Sequence, residues 1–224
     1  MQDNERINEL LHRTAQLQDL QDSIVIVLAD IIISRDKSVN GHVERTTSCL
    51  KILTDSMIKR EKYINDLKKI DLEIFCSAAR MYDIGKLLIS DAILNKPDKL
   101  TNEEFEIMKT HAMDGEHIID QIASKTKTNM EYLNHAKLFA GFHHERWDGK
   151  GYPRKLDRLN IPIHGRIIAI IDVFDALVSK RPYKNPFTPE EAVRIIMDSA
   201  GEMFDPLITE VFFEEKEKFF NLYR

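Results

Sequence analysis

Residues 143–153 read HHERWDGKGYP. Two adjacent histidines are followed by a glutamate, an Asp-Gly and a Gly-Tyr-Pro. Neighbouring side chains leave the backbone in different directions, so His143 and His144 can reach one ion from two sides. Neutral imidazole is the commonest protein ligand for transition metals. Gly149 and Gly151 allow a tight backbone, and Pro153 fixes it. Neither a hydrophobic core nor a plain solvent loop has a use for paired histidines. The segment reads as a site held in a rigid turn, and the pattern around it sets the fold class.

That surrounding pattern is helical. In LTNEEFEIMKTH, Thr101 can cap a helix while Glu104 reaches back, which is a capping box. FTPEEAVRII repeats the device with Thr188 and Glu191, and Pro189 stands at the first helical position. Further helices are predicted from about His42 to Lys59 and from about Asp71 to Gly85. Strand signals are confined to short segments near LLIS and IPIHG. The expected fold is all-α, with a long helix in front.

That front helix covers residues 4–33. Ile7, Leu10, Thr14, Leu17, Gln21, Ile24, Leu28 and Ile31 recur at alternating steps of three and four, a heptad-like seam with polar interruptions. Two readings stay open. The helix packs on its own domain, or it is a signalling helix that pairs with a second copy or joins an upstream sensor. The predicted division is 1–33 for this helix and 34–224 for the body.

Composition narrows the class. The chain has 224 residues, 43% hydrophobic and 31% charged, with a net charge of -5. That supports a real core and argues against broad DNA binding through phosphate contacts. The longest apolar run, SIVIVLADIII, is broken by Asp30 and is too short for a membrane span. The polar N-terminus has no signal-peptide character, and a cytoplasmic location is expected. The two cysteines, Cys49 and Cys76, sit in apolar helix-like surroundings and are expected to be reduced.

His42, Asp83, His111 and Asp172 also recur at helix-like positions, and each alone has an ordinary structural explanation. His12, His117, His135 and His164 are read in that ordinary way, as solvated helix residues. A mixture of imidazoles and carboxylates suits Fe, Mn or Zn over Mg or Ca. Two such ions about 3.5–4 Å apart can clamp a phosphodiester.

The sequence resembles the HD-GYP family, a branch of the HD superfamily of metal-dependent phosphohydrolases, over roughly residues 35–215. The signature HHExxDGxGYP is met by His143, His144, Glu145, Asp148, Gly149, Gly151, Tyr152 and Pro153. The segments GHVERT, YDIGK, ILNKPDKLTNEEFEIMKTH, IDVFDAL and RPYK also match, in order. The resemblance implies a helical bundle that hydrolyses the bacterial second messenger cyclic di-GMP to linear pGpG or to GMP. One metal site would draw on His42, Asp83 and Asp172. The other would draw on His111, His143 and His144, with Asp83 as bridge. Lys86 would face the scissile phosphate, Tyr152 would line the guanine end of the cleft, and Arg181 and Lys184 would grip phosphate or base. The implied cofactor is one or two transition-metal ions, Fe or Mn foremost, with Zn and Ni as further candidates. The implied partners are cyclic di-GMP, a second copy through the front helix, and a diguanylate cyclase or an upstream sensor or receiver domain.

The sequence departs from the pattern in two places. The adjacent His-Asp pair of the family is Tyr82-Asp83 here. Trinuclear members carry a glutamate where this chain has Ser38, so a third ion is not expected. The first departure keeps a second reading open, a module of the same fold that binds the dinucleotide or a partner without hydrolysis. A phosphohydrolase for another nucleotide is a third reading, and the intact GYP block weighs against it.

Overall fold

The computed structural model describes residues 2–35, 42–125, 130–179 and 185–223. Ser38, Arg181 and Lys184 lie outside the described residues. The chain is helical, as expected: α1 (Gln2–Arg35), α2 (His42–Lys59), α3 (Ile64–Leu67), α4 (Leu72–Ala78), α5 (Asp91–Leu94), α6 (Asn102–Lys109), α7 (His111–Lys125), α8 (Met130–Phe142), α9 (Ile163–Val178), α10 (Pro189–Asp198), α11 (Pro206–Glu214) and α12 (Lys216–Asn221). Among the described residues there is no strand, and the segments LLIS and IPIHG end a 3-10 turn and begin α9 respectively.

Local signals set several helix starts. Both predicted capping boxes form, with the Glu104 amide on Thr101 Oγ1 and the Glu191 amide on Thr188 Oγ1, each at 3.2 Å. Asp205 caps α11 by accepting from the Leu207 amide at 2.9 Å, and Pro206 follows at the first helical position.

The core lies where α2, α4, α8, α9 and α11 meet. Helix α2 buries Val43, Thr46, Cys49, Leu50, Leu53 and Met57, a stripe at three- and four-residue steps. Helix α9 is buried nearly all round, through Ile167, Ile168, Ile170, Ile171 and Phe174, so it is the central post. Phe75, Phe139, Phe174, Phe212 and Phe219 are fully buried around it. Arg166 of α9 is buried too, held by Asp205 at 2.8 Å and the Ile161 carbonyl at 2.9 Å. Cys49 and Cys76 are both buried free thiols.

The helix expected over 71–85 is broken. Helix α4 stops at Ala78, and 3-10 turns follow at Ala79–Met81 and Ile84–Leu88. The cause is close packing on the start of α7. A Cβ on Gly85 would lie 1.9 Å from the His111 carbonyl oxygen, so only glycine lets the two backbones meet. In a 3-10 turn, side chains three apart eclipse. Lys86 Nζ therefore lies 2.7 Å from Asp83 Oδ2.

Helix α1 runs slightly beyond its expected span. Its seam residues Ile7, Leu10, Leu17, Ile24 and Ile31 are 48–67% exposed.

Candidate metal centre

Three histidines converge. His111 opens α7, and His143 and His144 follow the end of α8. One donor atom from each lies within 4.8 Å of the other two, and among the described residues this is the group of three that does so. His111 Nε2 and His143 Nε2 are 3.0 Å apart. His111 Nδ1 lies 2.6 Å from the Met108 carbonyl, and His143 Nδ1 lies 2.9 Å from that of Ala140. A carbonyl only accepts, so in each ring Nδ1 carries the proton and Nε2 presents a lone pair. Two lone pairs facing each other at this distance repel unless a cation relieves them. Metal-ligating histidines characteristically donate their other nitrogen to a carbonyl in this way.

Asp83 completes the set. Its Oδ1 lies 3.5 Å from His111 Nε2 and 3.7 Å from His143 Nε2. Burial works against its charge, but the Lys86 ammonium and the two imidazoles hold its pKa well below the carboxylate range. Burial, then the neighbouring His143, pushes His111 down to about 4. Burial, with His143 and His111, holds His144 well below 6.5. At neutral pH His111 and His144 are thus neutral imidazoles beside an ionised Asp83, the protonation states a transition ion requires. The donors fit one such ion.

The loop after the paired histidines is bound on three sides. Buried Glu145 accepts the Arg154 amide at 2.7 Å and the Leu156 amide at 3.0 Å. The Trp147 and Asp148 amides donate to the Met203 and Glu202 carbonyls at 3.1 and 2.8 Å. The Tyr152 amide donates to the His144 carbonyl at 3.1 Å. A Cβ on Gly151 would lie 2.4 Å from the Arg146 amide nitrogen, so the turn is pressed onto the histidine segment. The Tyr152 ring thereby sits 4.6 Å from the His144 ring.

A cavity of about 540 Å³ opens over this turn. His143, His144, Tyr152, Asp172 and Phe105 line it, and Lys109, Arg146, Lys150 and Lys155 bring positive charge to its wall. Lys109 lies over both the Phe105 and Tyr152 rings, at 5.5 and 5.8 Å from their centroids. The size suits a small-molecule ligand, and the charge suits an anionic one.

The remaining residues predicted from sequence form a different arrangement. His42 Nε2 and Asp172 Oδ1 are 3.9 Å apart. The Tyr82 hydroxyl stands between them, against His42 Nε2 and donating to Asp172 Oδ1 at 2.7 Å. On the other side of the ring, His42 Nδ1 donates to Asp175 Oδ2 at 2.6 Å. Asp175 is engaged further by Arg45 Nε at 2.9 Å and the Tyr223 hydroxyl at 2.8 Å. Burial opposes charge on His42, yet Asp175, Asp172 and Asp83 together raise its pKa above 6.5. Burial, then the charges of Asp172 and Asp83, pushes the Tyr82 phenol well above its ordinary 10. The group remains a protonated donor.

Sequence reasoning missed Asp175 and the clamping part of Glu145, although both lie in segments that carry the resemblance. It also read His135 and His164 as solvated, and here the structure differs. His164 is 5% exposed. Its Nε2 lies 2.7 Å from His135 Nδ1, and Phe75 and Phe139 pack against its ring.

Among the described residues, no helix is long and apolar enough to cross a membrane. The chain is 37% identical over 214 residues to a probable cyclic di-GMP phosphodiesterase of Vibrio cholerae, covering 96% of this chain and 48% of that protein. It is 37% identical over 220 residues to a cyclic di-GMP phosphodiesterase of Thermotoga maritima, covering 96% and 56%. A 3'3'-cGAMP-specific phosphodiesterase of Vibrio cholerae is 33% identical over 211 residues, covering 94% and 38%. The chain thus spans about half the length, or less, of these curated relatives. The model of the HD domain matches residues 26–208, from within α1 to within α11. That span encloses the histidine cluster, its carboxylate and the turn that holds them, so the chain belongs to the HD domain family, in its HD-GYP branch.

Proposed function

We propose that this is a cytoplasmic signalling domain that hydrolyses cyclic di-GMP at a transition-metal centre, giving linear pGpG or GMP. The observation that carries the reading is the convergence of His111, His143, His144 and Asp83, with Lys86 on the same carboxylate, beside a cationic cavity. Several curated relatives are named as phosphodiesterases of cyclic dinucleotides, which supports the substrate class. The donor set suits Fe, Mn or Zn over Mg or Ca, and iron or manganese is taken from the family pattern.

A bound ion supplies Lewis acidity toward a phosphoryl oxygen and lowers the pKa of water from about 15.7 toward about 7. The chain's own residues do the rest. Asp83 holds Lys86 at 2.7 Å, which fixes a cation where negative charge develops on the phosphate. The carbonyls of Met108 and Ala140 fix the tautomers of His111 and His143, so their lone pairs stay directed inward. Tyr152 offers a ring face at the wall for a guanine base, held there by the amide bond to His144. Arg181 and Lys184 are assigned to phosphate or base on the family pattern alone. The exposed seam of α1 is assigned to pairing with a second copy, or to coupling with an upstream sensor or receiver domain.

The test is direct. Protein loaded anaerobically with Fe(II) or Mn(II) should linearise cyclic di-GMP, and Asp83→Ala should abolish turnover. One observation favours a second reading, a module that binds the dinucleotide or a diguanylate cyclase without hydrolysis: Tyr82 fills the gap between His42 and Asp172. Dinucleotide binding with no turnover under any metal would establish that reading instead.

A further inference from the structure

We propose that the Tyr82 hydroxyl takes the place of the first metal ion, so that the centre is mononuclear and is held by His111, His143, His144 and Asp83. The inference rests on the metal-centre reading above and concerns how many ions the site accepts.

Space is the first ground. Typical transition-ion bonds to nitrogen and oxygen are about 2.0–2.2 Å. His42 Nε2 and Asp172 Oδ1, at 3.9 Å, have a separation that one shared ion could bridge. A hydroxyl oxygen already stands in that gap, in contact with Nε2 and 2.7 Å from Oδ1. An ion bonded to both atoms would have to occupy nearly the same volume. The tyrosine cannot swing aside freely, because it is 2% exposed and its ring packs edge-on to His143 at 5.1 Å.

The second ground adds to the first. A carboxylate that bridges through both oxygens gives one to each ion. Asp83 turns Oδ1 toward His111 and His143, and its Oδ2 accepts from Lys86 at 2.7 Å. With Tyr82 in place, a second ion would have to displace that ammonium without the histidine ligand of the family pattern to offset the loss.

The third ground is satisfaction. His42 is fixed from behind by Asp175 at 2.6 Å, and Asp175 is in turn held by Arg45, Ser179 and Tyr223. In the chain Asp175–His42–Tyr82–Asp172, both ring nitrogens of His42, the Tyr82 hydroxyl and Asp172 Oδ1 all have partners. A hydrogen-bonded hydroxyl completes this half of the site, as an ion would in its absence.

The test is metal stoichiometry by elemental analysis of the full chain, loaded anaerobically with excess Mn(II) and desalted. The wild type should retain one ion per chain. Asp172→Ala should also retain one, and His143→Ala should retain close to none. Tyr82→His, once native circular dichroism is verified, should rise to two. If that variant does not fold, the Asp172→Ala and His143→Ala pair still decides. Two ions in the wild type, loss of the ion in Asp172→Ala, or a folded Tyr82→His that stays at one overturns the proposal. So does a tyrosinate-to-iron charge-transfer band on loading with Fe(III), since Tyr82 would then be a ligand. No ion in the wild type would instead refute the metal-centre reading itself.

Discussion

Buried His164, paired with half-buried His135, makes the fold's stability depend on pH, by an amount the structure sets. His164 lies between Phe75 and Phe139 with its rings' centroids 4.9 Å from each. Its Nδ1 and His135 Nε2 have no hydrogen-bond partner among the described residues. Burial, then His135 and Arg166, pushes the His164 pKa from 6.5 down to about 3. The folded state therefore stays unprotonated between those values, while the unfolded chain takes up a proton. Stability is full above pH 6.5 and is lost as pH falls from 6.5 toward 3. At pH 5 the unfolded histidine gains about 32-fold in its partition function, or about 2 kcal/mol, against roughly 0.2 kcal/mol at pH 7. Urea unfolding of chelator-treated protein at the two pH values measures the difference. Other depressed histidines, His111, His144 and His135, add to the wild-type loss. Replacing His164→Leu removes its share, so the variant should lose about 2 kcal/mol less between pH 7 and pH 5. The Glu131 carboxylate, 3.8 Å from His135 Nε2, is present in both proteins and does not alter that comparison. Equal losses in the two proteins would refute the claim that His164 is held neutral by its surroundings.

Three other outcomes follow from particular contacts. Glu145→Ala strands the Arg154 and Leu156 amides, and at about 1 kcal/mol or more per lost partner it should cost about 2–3 kcal/mol and raise KM for the dinucleotide, since the Tyr152 turn loosens. Asp205→Ala removes a helix cap and leaves Arg166 buried without its carboxylate, so calorimetry should show a loss of about 3–5 kcal/mol, a Tm drop of roughly 10 °C. Gly85→Ala forces the 3-10 turn away from the His111 carbonyl, and the folded fraction should retain less metal than wild type by elemental analysis, because Asp83 and His111 are drawn apart.

Much of this molecule is legible because its signals are local. Thr101 and Glu104 are three residues apart and meet through one helical turn, so the pattern alone gives the cap. His143 and His144 are adjacent, and their pairing needs no tertiary knowledge to stand out. The break at 79–88 is not legible in this way. Nothing in MYDIGKLL forbids a helix. The chain tightens there because Gly85 meets the His111 carbonyl, and that contact exists only once α7 is packed. The burial of His164 has the same origin, since Phe75, Phe139 and His135 come from α4 and α8. Asp175 is the extreme case: its hydrogen bond to His42 spans 133 positions.

Tyr82 joins the two kinds of information. The sequence marks it as a departure, because histidine is the family residue at that position, but a departure carries no direction of its own. A tyrosine there is compatible with a lost ligand, a phenolate ligand or an unrelated core residue. The structure distinguishes these by the company of the hydroxyl. A core residue would not aim its oxygen at an imidazole and a carboxylate 3.9 Å apart. A phenolate ligand would have no proton to give, whereas the Tyr82 hydroxyl is placed to donate to Asp172 Oδ1 at 2.7 Å. What remains is a protonated phenol that satisfies His42 and Asp172 together. On the proposal above, the residue that breaks the family motif also stabilises the half of the site that takes no ion.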